Sequence, residues 1–281
     1  MRPIPLGSDP CAAVLTEVGT ALTTAAERLH IPFAGDARSI VRRGEVRAHP
    51  VWQEPPLADG LPVVLVGGLL TATPVLLSVL REWLTRLGCR TLVAPTGLGV
   101  GCGETSTRIV AQTLADFADA TGAAPVVIGY SRGGQFARAA AVRHPDLVGG
   151  LITLGSPLRG ELAEVHPLLR LQIYALGAMG TLGVPRLLSA RCLWGSCCQQ
   201  LREDLDGPFP EQIPFLSVYS RTDEMVGWRS SLDPAAQYHE VSTSHGGLVA
   251  DPAVFSAIAA ELREVITGAV AGGPDDTVTA A

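Results

Sequence analysis

The sequence predicts an α/β fold in which a mostly parallel central sheet is flanked by helices. From residue 61 onward, short and uniformly apolar segments alternate with amphipathic segments of helical period. Strands of this kind are buried on both faces, which is typical of a parallel sheet covered by helices. The chain has 281 residues, of which 47% are hydrophobic and 17% charged, and this length fits one large α/β domain as well as two small ones.

The first 60 residues predict an N-terminal helix followed by a lead-in segment. Residues 9–30 carry apolar side chains near a 3.6-residue period, with Asp9 as a candidate cap and Pro10 in the first turn. Residues 31–60 are irregular, and an edge strand is an option at 39–48.

The α/β core is predicted to comprise residues 61–157 and 213–267. We expect strands at 61–68, 90–95, 124–130, 149–157, 213–223 and 237–247, and helices at 73–88, 105–121, 133–145 and 251–267. Residues 268–281 are expected to form a disordered tail.

The alternation stops at residues 158–212, which we interpret as a helical lid inserted into the core. Its stretch HPLLRLQIYALGAMGTLGVPRLLSA is unusually apolar, and a protein in water either hides such a surface or uses it. We expect Leu171, Ile173 and Leu176 to contact a hydrophobic substrate. A packed cap and a homodimer interface are the alternatives.

Charge and composition exclude several classes of function. The formal net charge is −6, which argues against nucleic acid as a partner. The chain contains no Lys, so Schiff-base chemistry, lysine-anchored pyridoxal and a Walker-type phosphate loop are excluded. The apolar runs are too short for a membrane span, and the N-terminus lacks the pattern of a signal peptide. We therefore expect a cytoplasmic protein, and the Arg-rich, Lys-free composition suggests a GC-rich bacterial genome.

The cysteines match no zinc pattern of paired CxxC or CxxC with HxxxH. We therefore expect free buried thiols, and two adjacent cysteines are too close in sequence for an ordinary disulfide with each other. The six are Cys11, Cys89, Cys102, Cys192, Cys197 and Cys198.

The stretch GYSRG, between an apolar strand and a helix, predicts that Ser131 is a nucleophile. A sharp strand-to-helix turn, here called the elbow, crowds the neighbours of its central residue, and Gly129 and Gly133 relieve that crowding. The turn also places the hydroxyl at a helix N-terminus, where N–H groups can stabilise developing negative charge. The alternative is a structural turn.

A serine hydroxyl needs a base that is oriented by an acid. His245 lies in STSHGGL after the last strand, and Asp223 ends the strand run FLSVYSRTD, so these two are the candidates. His166 is the rival base and Glu224 the alternative acid.

Two backbone N–H groups are candidates for an oxyanion hole. Arg132 directly follows the nucleophile, and Leu69 follows the first strong strand and Gly67-Gly68. For Leu69, a plain turn is the alternative. The glycine cluster at 97–103 does not fit a dinucleotide-binding fingerprint, because Cys102 stands where the third glycine is required. We interpret it as a flexible rim loop.

The segments VVLVGGL, IGYSRGG, LITLGSPLRG, YSRTDEMV and SHGGL resemble the α/β-hydrolase superfamily, especially its bacterial lipase/esterase-like branch. The similarity runs from about residue 60 to 265. It implies the α/β-hydrolase fold, a Ser131-Asp223-His245 triad and a lid after the strand that follows the elbow helix. One departure is Gly67-Gly68, where many lipases have His-Gly. The other is Arg132, where lipases often have an apolar residue; its side chain could bind a substrate carboxylate or phosphate, or pair with an acid below the sheet.

These observations predict a serine hydrolase that cleaves an ester or thioester with a hydrophobic acyl part, without a metal or an organic cofactor. An acyltransferase or cyclase with the same triad, and a non-catalytic binding module, are the alternatives. The residues expected to bind substrate are Leu70, Tyr130, Leu171, Ile173 and Leu176.

Overall fold

The computed structural model describes residues 44–69, 76–159 and 161–271. The N-terminal helix expected at 9–30 lies outside these ranges. Residues 44–48 form a helical turn, so the edge strand suggested at 39–48 is wrong for its described part. Within this turn only Val46 is buried, which suits one turn of helix and not the two-residue alternation of a strand.

The expected parallel sheet is present in the described residues. Its order is β2-β1-β3-β4-β5-β6, and every adjacent pair of strands is parallel. The strands are β1 Pro62–Val66, β2 Arg90–Val93, β3 Val126–Tyr130, β4 Gly150–Leu154, β5 Phe215–Ser220 and β6 Gln237–Val241.

Helices connect the strands, and short 3₁₀ turns occur in several loops. The α-helices are α1 Ser78–Arg86, α2 Gly103–Thr121, α3 Arg132–Arg143, α4 Pro167–Thr181, α5 Ala190–Leu193, α6 Gln199–Asp206 and α7 Pro252–Ala271. The last helix continues through Ala271, so the tail expected to be disordered from residue 268 is still helical over its first residues. No helix of the described segments is long and apolar enough to span a membrane.

The sheet is buried on both faces. Along β1, Val63 and Leu65 belong to one hydrophobic core, and Val64 and Val66 belong to the core on the other face. Helices α1 and α7 cover the first face, where Trp83 stacks on Phe255 with ring centroids 4.6 Å apart. Helices α2, α3 and α6 cover the second face. This two-sided cover explains why the central strands β1, β3, β4 and β5 are buried at every position, whereas the edge strands β2 and β6 are largely exposed.

The inserted segment between β4 and β5 carries α4, α5 and α6. Helix α6 is fixed to α3 by two arginines. Arg138 is fully buried, pairs with Asp233 at 2.6 Å and donates to the carbonyl oxygen of Asp204 in α6. Arg143 pairs with the Asp204 carboxylate at 2.5 Å. Helix α4 instead packs through Leu169 and Ile173 in a separate small core.

The strand order places a crevice at the carboxyl ends of β1 and β3. The chain passes from β1 to β2 on one side of the sheet and then returns to β3 on the other side of β1. Ligands in open α/β sheets bind where the order reverses in this way. The predicted nucleophile and the predicted Leu69 amide both lie at this reversal.

Candidate active site

Ser131 occupies a strained turn between β3 and α3. Its φ of 54° and ψ of −127° place a non-glycine residue in a region that costs about 1–3 kcal/mol. The neighbouring glycines are required by close packing. A Cβ on Gly129 would lie 2.5 Å from the Cα of Gly134, and a Cβ on Gly133 would collide with the carbonyl oxygen of Val66. The glycines of the motif therefore serve the geometry that the sequence predicted.

Asp223 and His245 are in direct contact. The Nδ1 atom of His245 lies 2.6 Å from Oδ2 of Asp223, and both side chains are almost fully buried. The other oxygen of Asp223, Oδ1, accepts hydrogen bonds from the backbone N–H groups of Met225 (2.8 Å) and Val226 (2.9 Å). These backbone donors fix the carboxylate, so it can hold the imidazole in one orientation and one tautomer.

Gly155 makes room for this pair, although the sequence interpretation gave it no role. It directly follows β4 and has a φ of 54°. A Cβ at this position would lie 3.1 Å from Oδ2 of Asp223 and 3.3 Å from Nδ1 of His245. The signal in the sequence was the position of this glycine, directly after β4, which pairs with the strand β3 that leads to Ser131.

Ser220, another residue missed from sequence, ties together the loops that carry the acid and the histidine. Its buried hydroxyl donates to the carbonyl oxygen of Thr243 at 2.6 Å and accepts from the N–H of Thr243 at 3.1 Å. It also accepts from the N–H of Thr222 at 3.1 Å. One hydroxyl therefore joins the end of β5 to the His245 loop.

Tyr130 contacts His245 through its hydroxyl and its ring. Its hydroxyl donates to the backbone oxygen of His245 at 3.1 Å, and the two ring centroids are 5.1 Å apart. The side chain is buried, with 2% exposure. The structure thus places Tyr130, which we expected to bind substrate, against the histidine and not among the residues that line the cavity described below.

The rivals from sequence are placed differently. His166 caps α4, because its Nδ1 accepts from the N–H of Leu168 at 3.2 Å. Glu224 approaches the backbone N–H of His245 at 3.4 Å, while the ring of His245 contacts Asp223. Burial raises the pKa of Glu224, with a smaller contribution in the same direction from the charge of Asp223.

The two expected oxyanion donors lie beside the elbow. A Cβ on Gly68 would lie 2.7 Å from the Cβ of Ser131 and 3.1 Å from the backbone nitrogen of Arg132, so the end of β1 runs directly against the nucleophile. A Cβ on Gly99 would lie 3.1 Å from the backbone nitrogen of Leu69. The rim loop at 97–103 therefore packs against the peptide that would supply the second donor.

The side chain of Arg132 holds this rim loop. Its guanidinium donates to the carbonyl oxygens of Gly99 (2.5 Å) and Gly101 (3.1 Å) and lies over the ring of Phe136. Its hydrogen bonds thus go to main-chain carbonyls and not to an acid below the sheet, which corrects one of the two roles considered from sequence. The correct role was not visible in the sequence because the loop is about thirty residues away along the chain.

A cavity of about 110 Å³ opens beside Ser131, between the core and the inserted segment. Because a water molecule needs roughly 10–15 Å³ on this scale, the cavity has room for a small acyl group. Ile173 lines it, whereas Leu171 is 62% exposed and neither Leu171 nor Leu176 is among the lining residues. Leu171 is two residues from Ile173 and so points to the opposite side of α4, whereas Leu176 is on the same side as Ile173 but one turn further along the helix. Leu70 lies outside the described residues. The lining is mostly apolar and includes Leu69, Ser131, Arg132, Gln135, Leu162, Val165, Leu169, Ile173, Leu188, Cys192, Leu193, Cys198, Leu201 and Val226.

Comparisons with known proteins agree with this architecture. The family model of the alpha/beta hydrolase fold matches residues 86–182. No curated protein sequence matches the chain. Among solved structures, the chain is similar to a metagenomic carboxyl esterase with a TM-score of 0.56 and 14% identity, over 76% of this chain and 78% of that one.

Two lipases are similar in the same way. For a Bacillus licheniformis lipase in its mature form, the TM-score is 0.53 and the identity 16%, over 75% of this chain and 94% of that one. For a Paleococcus ferrophilus monoacylglycerol lipase, the TM-score is 0.50 and the identity 16%, over 73% and 96%. The chain has the α/β-hydrolase fold, as the resemblance of its motifs implied.

Proposed function

We propose that the protein is a serine hydrolase that cleaves an ester or thioester with a hydrophobic acyl group. The observation that carries this proposal is the buried 2.6 Å contact between Asp223 and His245. It lies at the carboxyl ends of the strands, where Ser131 also occupies its strained turn. A strained residue persists only where its surroundings impose it, and such residues cluster at active sites. The similarity to esterases and lipases supports the same class.

In the proposed reaction, the Ser131 hydroxyl oxygen attacks the acyl carbon while His245 accepts its proton. The N–H groups of Leu69 and Arg132 stabilise the oxyanion, and each donor contributes roughly 3 kcal/mol. The tetrahedral intermediate collapses to an acyl-enzyme as His245 protonates the leaving alcohol or thiol. Water then attacks the acyl-enzyme, with His245 as base again, and releases the acid. Asp223 orients the imidazole and stabilises its charged form.

The residues around the cavity favour a hydrophobic acyl group. Leu162, Val165, Leu169 and Ile173 come from the inserted segment and face the side that carries Ser131. We therefore propose that residues 158–212 act as a cap over the acyl group. Each methylene that the cap buries should raise kcat/KM, so kcat/KM should increase with acyl chain length. The increase should stop abruptly when the cavity is full, because well-packed walls do not stretch.

A fluorophosphonate probe tests the nucleophile directly. The wild type should be labelled on Ser131, as located by peptide mass spectrometry, and Ser131→Ala should lose both the label and several orders of magnitude of esterase activity on p-nitrophenyl esters. The circular dichroism spectrum should be unchanged, because alanine needs no more space than serine. A variant with more than about a tenth of wild-type activity would exclude Ser131 as the nucleophile.

The same ester panel separates hydrolysis from acyl transfer. With water as the acceptor, the free acid should account for all the product, and added alcohols or amines should not divert it. If an added acceptor takes most of the acyl group, the protein is an acyltransferase that uses the same three residues.

A further inference from the structure

Four cysteines converge at one point next to the cavity. Cys102 ends the rim loop of the core, directly before α2, whereas Cys192 lies in α5 and Cys197 and Cys198 lie in the following 3₁₀ turn. All four Sγ atoms lie within 4.8 Å of one another. The Sγ atom of Cys102 is 3.5 Å from that of Cys197 and 3.7 Å from that of Cys198.

The separations of 3.5 and 3.7 Å match the spacing of thiolates in a tetrahedron around a single ion. Zinc–sulfur bonds are about 2.3 Å long, so the sulfur atoms of a tetrahedral site lie about 3.8 Å apart. Cys192 also meets this spacing, with its Sγ atom 3.7 Å from that of Cys197. A disulfide would bring two sulfur atoms to about 2.05 Å, much closer than these pairs. An iron–sulfur cluster would spread the four thiolates over more than one iron atom.

We propose that Cys102, Cys192, Cys197 and Cys198 bind one zinc ion that joins the inserted segment to the core. Four thiolates fill the tetrahedral coordination of zinc and leave no position for water or substrate, so the role is structural. Binding replaces four S–H protons with one Zn²⁺ ion, releases those protons to solvent and needs no oxidant.

Positively charged side chains surround this cluster. Zn²⁺ with four thiolates carries a net charge of −2, and Arg132 lies close to it. Its guanidinium donates to the carbonyl oxygen of Gly101, the residue directly before Cys102. Arg202 donates to the backbone oxygens of Cys192 (3.4 Å) and Gly195 (2.6 Å) and so fixes the turn between the ligands. Contacts of this kind around a metal orient its ligands.

The position of the cluster gives the ion a specific task. Cys192 and Cys198 also line the cavity beside Ser131, and Cys102 belongs to the rim loop that Arg132 holds. The ion would therefore join the part of the cavity wall that carries Cys192 and Cys198 to the rim loop. This loop packs against the backbone N–H of Leu69. The proposal rests on the cysteines alone and holds even if the cavity binds no ester.

Metal content of the full-length protein tests the proposal. The protein is expressed with added Zn²⁺, purified under reducing conditions without chelators, and measured by inductively coupled plasma mass spectrometry. We expect one zinc ion per chain. Replacement by Co²⁺ should give the intense thiolate-to-cobalt charge-transfer bands and the visible bands of tetrahedral cobalt. The four thiols should resist alkylation until a chelator is added, and the chelator should lower the melting temperature.

Single substitutions assign the ligands. Cys197→Ser alters the exposed ligand and should fold, yet it should lower zinc affinity by at least about 10- to 100-fold. Cys102→Ser should do the same and tests the core ligand. The control is Cys89→Ala, since Cys89 is buried away from the cluster and should leave one ion bound.

Two results would overturn the proposal. One is wild-type protein that contains no zinc and gives no tetrahedral cobalt spectrum when titrated with Co²⁺ under reducing conditions. The other is mass spectrometry showing that the freshly purified protein holds these cysteines as disulfides. Both are measured on the wild type, so a variant that fails to fold does not affect the decision.

Discussion

Ser220→Ala tests whether one hydroxyl aligns the acid with the histidine. In the wild type, this hydroxyl serves the N–H groups of Thr222 and Thr243 and the carbonyl oxygen of Thr243. Alanine leaves the buried N–H of Thr243 and the half-buried N–H of Thr222 without this acceptor. At 1–3 kcal/mol for a fully buried group, the free energy of unfolding should fall by about 2–3 kcal/mol.

Catalysis should suffer as well, because the loops that carry Asp223 and His245 lose the group that joins them. A misplacement of about 1 Å in such a constellation costs up to about 100-fold, so kcat should fall by roughly 10- to 100-fold while KM changes little. Steady-state kinetics on the best p-nitrophenyl ester, together with urea unfolding, measure both effects.

Ser217→Ala is the matched control on the same strand. Ser217 is equally buried and donates to the carbonyl oxygen of Ser231 at 2.7 Å, away from the Asp223–His245 pair. Its substitution should cost about 1 kcal/mol of stability and leave kcat near the wild-type value. If Ser220→Ala loses stability and keeps its kcat, the hydroxyl supports the fold alone and our account of the alignment is wrong.

The remaining predictions concern the acid, the adjacent carboxylate and the cavity. Asp223→Asn should lower turnover by about 10⁴ because the amide cannot hold the correct imidazole tautomer. Glu224→Gln should keep most of the activity, and the reverse result in the same kinetic assay would make Glu224 the acid. Burial raises the pKa of Glu224, so the wild type loses stability as the pH rises through that pKa, whereas glutamine does not titrate. Urea unfolding should therefore show Glu224→Gln to be more stable than the wild type at neutral pH, with the difference vanishing below about pH 4. Ile173→Asn should flatten the dependence of kcat/KM on acyl chain length, which is worth up to about 0.8 kcal/mol per methylene, and the exposed Leu171→Asn should preserve it. An equal loss for every chain length in Ile173→Asn would show that this side chain holds the fold.

The sequence alone determined the class of fold, because that information is local. The uniform apolarity of β1, β3 and β4 fixes a sheet that is buried on both faces, and the glycines around Ser131 fix a sharp turn. The segments that carry Asp223 and His245 could be chosen because each residue follows a strand. The bounds of α7 and the helical turn at 44–48 were less predictable, since tertiary packing decides where an element ends.

Only the tertiary structure decided which distant side chains meet. Tyr130 turns towards His245, the guanidinium of Arg132 reaches the rim loop, and α4 directs Ile173 inward while Leu171 faces out. Cys102 shows the limit most clearly, because ninety or more residues separate it from the cysteines that surround it. A zinc pattern can be read from sequence when its ligands are close along the chain. Here the ligands are brought together by the packing of the inserted segment on the core, and no local spacing records that contact.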